Sequence, residues 1–109
     1  KGTSGEEQIC AYLIGRGMKI LHRNVAEKFA EIDIVAKDGD TLCFIEVRTR
    51  KDTTLGHPAE TVNAKKQRSI RRAAEAYLAK NRIGQVAVRF DVATIVWDTM
   101  TTEYFENAF

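Results

Sequence analysis

The chain has one proline, two cysteines and two histidines in 109 residues. The thiols, Cys10 and Cys43, sit in apolar contexts without a surrounding motif, which excludes a disulfide framework. With His22 and His57 they lack zinc-ligand spacing. No apolar run approaches the ~20 residues of a membrane span, and no signal-peptide pattern is present. The expectation is therefore a cytoplasmic protein with reduced thiols and no membrane partner. A net charge of +2 is too small to announce a partner by itself. Aromatic residues are few (8%) and scattered, and Trp97, Tyr104 and Phe105 read as late-strand packing or an interface rather than a base-stacking platform. Repeats, low-complexity segments and linkers are missing too, so residues 1–109 are read as a single domain.

What is present is periodic. Ser4-Gly5-Glu6-Glu7 has the form of a capping box and predicts a helix from Gly5 to Arg16, with Ile9, Tyr12 and Leu13 as its apolar stripe and an end near Gly17. Segments 18–25, 29–37 and 41–49 read as strands, the last two joined at Asp38-Gly39, a strong hairpin signal. Residues 50–63 read as a loop. A long helix is predicted over 64–82, capped by Asn63 or Thr61 and stopped by Gly84. Its buried face is Ile70, Ala73, Ala74, Tyr77 and Leu78. Strands over 85–98 and 102–109 complete the order α-β-β-β-α-β-β, a mixed α/β domain.

The hairpin EIDIVAKDGDTLCFIEVRTR holds the informative residues. With Asp38-Gly39 as a two-residue turn, Ile34 faces Cys43, Ile32 faces Ile45 and Ala30 faces Val47, all apolar. The other face then pairs Asp33 with Phe44, Glu31 with Glu46 and Phe29 with Arg48, which gathers the charges on one side. Carboxylates converging on one face repel unless a cation lies between them. Oxygen ligands of this kind suit Mg²⁺ or Mn²⁺, and a neighbouring Arg can hold a phosphate. Such a set can cleave a phosphodiester. The other reading is an ordinary hairpin with one wet, charged face, on which Asp33 and Glu46 pair with Arg48 and Arg50.

The blocks GEEQICAYLIGRGMKILHRNV, AEIDIVAKDGDTLCFIEVRTR, AKKQRSIRRAAEAYL and RFDVATI, in this order, resemble the YraN-like family. That family is similar to archaeal Holliday junction resolvases and to the restriction-endonuclease-like nucleases, whose D…(D/E)-x-K signature appears here as EID and EVR. The resemblance implies an αβββαβ restriction-endonuclease-like core, a central mixed sheet flanked by helices, and a DNA endonuclease acting on branched structures. It implies a metal on Asp33 and Glu46, assistance from Glu6 on the first helix, and a homodimer. Glu6 also reads as a simple partner for the helix dipole. Arg48 stands where the nuclease signature has Lys, and arginine cannot serve as a base. Its role is then to steady charge on the phosphate.

Lys65, Lys66 and Arg68 at the start of the long helix, with Arg50 upstream, suit phosphate contacts. Two lysines in a first turn oppose the helix dipole. A solvated helix face is the plain alternative. Gln67 falls where related nucleases carry a polar residue near the site. Asp91, within a strand, either supports the site or pairs with Arg89. A nucleic-acid-binding module without cleavage and a charged-face interaction scaffold remain as rival functions.

Overall fold

The structure, a computed structural model, describes residues 3–51 and 62–109. The elements are α1 (Thr3–Gly15), β1 (Lys19–Ala26), β2 (Glu31–Asp38), β3 (Thr41–Arg50), α2 (Ala64–Lys80), β4 (Ala87–Val96) and β5 (Thr101–Phe105), the order read from the sequence. Among the described residues the strands form one sheet in the order β1-β2-β3-β4-β5. The β3–β4 pair is parallel and the other neighbours are antiparallel. This mixed sheet with two helices fits the expected αβββαβ core.

The sheet is covered on both sides, because β2 and β3 carry apolar residues at both parities. Ile34, Ala36, Cys43 and Ile45 pack with Ile9, Cys10 and Leu13 of α1. Val35, Leu42 and Phe44 pack with Ile70, Ala73, Ala74 and Tyr77 of α2. A hairpin with one wet face would show alternating burial. Instead Leu42 through Glu46 are all buried, which overturns that reading. Both cysteines are free and buried, and burial pushes the Cys43 thiol up to about 12, so it stays a neutral core group.

The hairpin register differs from the expected one by two residues. Asp38 pairs with Thr41, so Gly39-Asp40 forms the turn, and Ile34 faces Ile45 rather than Cys43. Gly39 alone takes a left-handed φ (61°), which suits the first position of a type II′ turn. A slip of two preserves which residues share a face, so the apolar pattern cannot distinguish the two registers.

The helix ends also carry corrections. Helix α1 begins at Thr3, so Ser4 lies inside the first turn rather than at a cap. Thr61, offered as a cap for α2, lies outside the described residues, as does His57. Asn63 is the cap, and its Oδ1 accepts the Lys66 N–H at 2.8 Å. Helix α1 closes as expected at Gly17 (φ 89°), with Met18 N donating to Leu13 O and Gly17 N to Ile14 O. Helix α2 ends at Lys80 with the same Schellman pattern, Ile83 N to Leu78 O and Arg82 N to Ala79 O. Here Arg82, not Gly84, takes the left-handed position, with φ 56°. A β-carbon is strained there. Arg82→Gly is therefore expected to raise stability by about 1 kcal/mol in urea unfolding; a loss would show that the arginine side chain outweighs the backbone strain.

Candidate active site

The β3–β4 pair is parallel and α2 connects the two strands. In open α/β sheets ligands collect at the carboxyl ends of such strands. Glu46, Arg48 and Arg50 lie at that end of β3, and β2 brings Asp33 to it from the other direction.

Asp33 occupies a break in the sheet. Ile34 packs on the α1 side while Ile32, two residues away, packs on the α2 side, so the ordinary alternation fails between them. The opposite strand breaks at the same level. Arg23 pairs with Ile34 and Val25 with Ile32, but the ladder passes over Asn24 and Asp33. Asn24 adopts a left-handed φ of 52°, a conformation asparagine tolerates better than most residues. The kink aims Asp33 across to β3, where its Oδ2 accepts the Val47 N–H at 2.8 Å. The β2–β3 ladder stops just before this point, at Ile34 and Ile45. Ile32 and Glu31 therefore do not follow the facing pattern expected from the turn, and Glu31 is exposed.

Glu46 is buried at 8% exposure. It lies on the α2 side, and Nη2 of Arg48 approaches its Oε2 at 3.4 Å. Glu6 comes from the first turn of α1 on the opposite side. Its Oε1 accepts from Asn24 Nδ2 at 3.0 Å and lies 3.5 Å from Arg23 Nη2. Carboxylates from both sides of the sheet thus act on Asp33, where the β2–β3 ladder ends. Burial pushes the Asp33 carboxyl up to about 7; Glu46, Glu6 and Glu31 push it the same way, and the Val47 N–H opposes them. Among the described residues Glu6 and Glu46 have guanidinium partners, whereas Asp33 has an amide.

The polar surroundings are incompletely satisfied. Arg48 pairs with Thr94 in the parallel register. Arg48 Nε and Thr94 Oγ1 are both buried with no hydrogen-bond partner among the described residues. Buried groups of this kind ordinarily find a partner. Arg50 is held by Glu103 at 3.3 Å.

As to a metal, no group of three His, Cys, Asp or Glu close enough to hold an ion occurs among the described residues. Asp33 and Glu46, the residues expected to hold a metal, would offer two carboxylates. That fits Mg²⁺ or Mn²⁺, which keep several waters and bind through one or two carboxylates plus phosphate oxygens. Glu6 is tied to Asn24 and Arg23.

Of the other residues singled out in the sequence, Lys65 and Arg68 are exposed, and Lys66 and Gln67 are half-buried on the first turns of α2. That first turn holds no acidic residue, so its positive end is uncompensated. The Gln67 side chain is committed to the fold, donating from Nε2 to Val62 O at 2.8 Å. Asp91 does not join the site. It is fully buried and accepts both contacts of Arg89 Nε (3.0 and 3.1 Å) and the Asn107 N–H (2.9 Å), together with the Tyr104 hydroxyl. Arg89 also reaches Asp38 at 3.0 Å. Two residues that matter to the site, Asn24 and Thr94, carried no motif. The tolerance of asparagine for left-handed backbone is the one local hint.

Fold and site together define a mixed α/β protein with paired acidic groups at the carboxyl end of its parallel strands. The chain belongs to the uncharacterised protein family UPF0102, whose profile matches residues 5–95. It is 43% identical over 116 residues to a UPF0102 protein of Chlorobium limicola, covering 99% of this chain and 90% of that one. Relatives in Syntrophotalea carbinolica (44% over 110 residues, 99% and 89% covered) and Caldicellulosiruptor saccharolyticus (37% over 112 residues, 99% and 95% covered) carry the same description. No helix among the described residues is long and apolar enough to cross a membrane.

Proposed function

We infer that the chain is a metal-dependent endonuclease acting on DNA, with branched DNA as the substrate suggested by the resolvase-like motif. The observation that supports this reading is Asp33, a half-buried carboxyl acted on by Glu46, Glu6 and Glu31, with the Val47 amide as its hydrogen-bond partner and no ion pair among the described residues. A divalent cation between Asp33 and Glu46 would relieve that repulsion and supply an activated water. Arg48, whose Nε has no hydrogen-bond partner among the described residues, would take a phosphate oxygen. Lys65, Lys66 and Arg68 extend the cationic surface along which a backbone would lie. Two symmetric cuts in a junction would require two copies of the chain.

One observation favours a nucleic-acid-binding module that does not cleave. Arg48 replaces the signature lysine and leans on Glu46, partly neutralising a proposed metal ligand. Incubating supercoiled plasmid and a four-way junction with Mg²⁺ or Mn²⁺ separates the readings. Cleavage is expected, and Asp33→Ala and Glu46→Gln are each expected to reduce it at least roughly hundredfold, since even outer-layer changes at metal sites lose about 10–100-fold. Salt-sensitive binding without cutting, unchanged by Asp33→Ala, would instead establish the binding module. Absence of any nucleic-acid binding would leave the interaction scaffold.

A further inference from the structure

A pocket of about 360 Å³ opens between the β1–β2 connection and the start of α2, lined by Phe29, Ala30, Asn63, Lys65, Lys66 and Ser69. This is within the size range of small-ligand sites. Its composition differs from that of the larger surface hollow of about 560 Å³ near Gly84, whose lining (Leu78, Gly84, Gln85, Val86 and Ala87) contains no charged side chain. The Phe29 pocket combines an aromatic ring with two lysines and a hydroxyl.

Phe29 was expected inside a strand, opposite Arg48. Instead β2 begins only at Glu31, and Phe29 sits in the β1–β2 connection with 41% of its surface exposed. Burial in the core therefore does not account for it. The Arg72 guanidinium lies 4.4 Å over its ring and the Lys28 ammonium 5.8 Å from the ring centroid. These contacts hold the ring at the surface and bring positive charge to it. Lys65 and Lys66 stand on the neighbouring first turn of α2, where the acidic residues that usually offset the dipole are missing. Ala30 lies three residues before Asp33, on the same end of the sheet as the acidic groups. A planar apolar face, flanking cations and proximity to a phosphodiester site suit one chemical unit, a nucleotide whose base has left its stack.

We propose that this pocket receives an unpaired nucleotide of the nucleic acid, its base against Phe29 and its phosphate on Lys65 and Lys66. The proposal rests on the nucleic-acid reading above and deepens it. The preferred substrate carries single-stranded character next to the cleaved bond, as at a tail, flap or junction point. Stacking on a protein ring is indifferent to base identity, so this pocket selects structure rather than sequence.

The test compares the affinity of the full chain for a fluorescein-labelled blunt duplex with that for the same duplex bearing a short single-stranded tail, at fixed salt. The wild type is expected to prefer the tailed duplex by roughly tenfold, within the range measured for single base–aromatic stacks. In Phe29→Ala that ratio is expected to fall to about one, while Phe29→Tyr keeps it. A tail preference that survives Phe29→Ala, or no preference in the wild type, overturns the pocket assignment and leaves the nucleic-acid reading standing. Failure to bind either duplex overturns the nucleic-acid reading itself. Urea unfolding of Phe29→Ala checks that the half-exposed ring is not needed for folding.

Discussion

Replacing Asp33 with asparagine is expected to stabilise the protein at pH 8 by about 2–3 kcal/mol while removing whatever chemistry the site performs. The carboxyl ordinarily titrates near 3.8, and in the folded protein it is pushed up to about 7. That separation corresponds to roughly 4 kcal/mol at ~1.4 kcal/mol per pH decade. Solvent reaching the half-buried group screens it to the smaller figure. The folded protein holds this proton up to about pH 7, whereas the unfolded chain releases it near pH 4. Between those values the unfolded state binds fewer protons, so wild-type stability falls as pH rises. Below about pH 4 both states are protonated and the substitution has little effect. Asparagine keeps an oxygen for the Val47 N–H, so the gain reports lost charge rather than lost structure.

On the proposed function a divalent cation should act unequally on the two proteins. It would bind the ionised carboxylate, so Mg²⁺ at about ten times its dissociation constant should return roughly 1.4 kcal/mol to the wild type at pH 8 and almost nothing to Asp33→Asn. Urea unfolding at pH 5 and pH 8, with and without Mg²⁺, measures all of these quantities. A variant less stable than wild type at pH 8 would show that Asp33 is an ordinary structural carboxylate.

Asp91→Ala is expected to cost about 3–5 kcal/mol, the usual loss when one partner of a buried ion pair is removed. The change takes from the Arg89 guanidinium, which is 12% exposed, its fully buried partner, leaving it the more exposed Asp38 and Glu106, and deprives the Tyr104 hydroxyl and Asn107 N–H of this acceptor. The network joins β4 and β5 to the segment after β5, so its loss is felt across that side of the sheet. For a domain whose total stability is on the order of 5–15 kcal/mol, this approaches unfolding. The contrast is Arg16 with Glu106, a shorter pair at 2.6 Å but with side chains 35% and 43% exposed, Glu106 lying a further 3.8 Å from Arg89. Glu106→Gln should therefore cost less than about 1 kcal/mol. Comparable losses at the two positions would mean that distance, not burial, governs ion pairs here.

The element order was legible in the chain because it rests on local signals. The spacing of Ile70, Ala73, Ala74 and Tyr77 could only be a helix face, and all four are buried. Asn63 before a helical run served as a cap because its side chain competes well for free N–H groups. Charge on β2 and β3 was visible too, and in the folded chain the charge of Glu46 acts on the Asp33 carboxyl. The reason given for their meeting was incomplete. A regular hairpin placed Asp33 opposite Phe44, whereas the observed turn at Gly39-Asp40 moves the register by two. Both registers leave the same residues on the same face, so only the preference of Gly39 for the first turn position distinguishes them.

Sequence alone determined the α/β class, the helix faces and the presence of paired acidic residues on adjacent strands, since each depends on neighbours within a few positions. Tertiary structure alone decided three further things. It covered both faces of the sheet, since whether a strand is buried on one side or two depends on where distant helices dock. It set Asp91 on Arg89 rather than in the site, because adjacent parity placed that side chain on the α1 side, away from Glu46. And it kinked β1 and β2 together at Asn24 and Asp33, turning one aspartate out of the ladder toward a neighbouring strand. That placement raises its proton affinity through burial and the field of three other acids, an environment assembled from α1, β2 and β3 that no contiguous stretch of chain encodes.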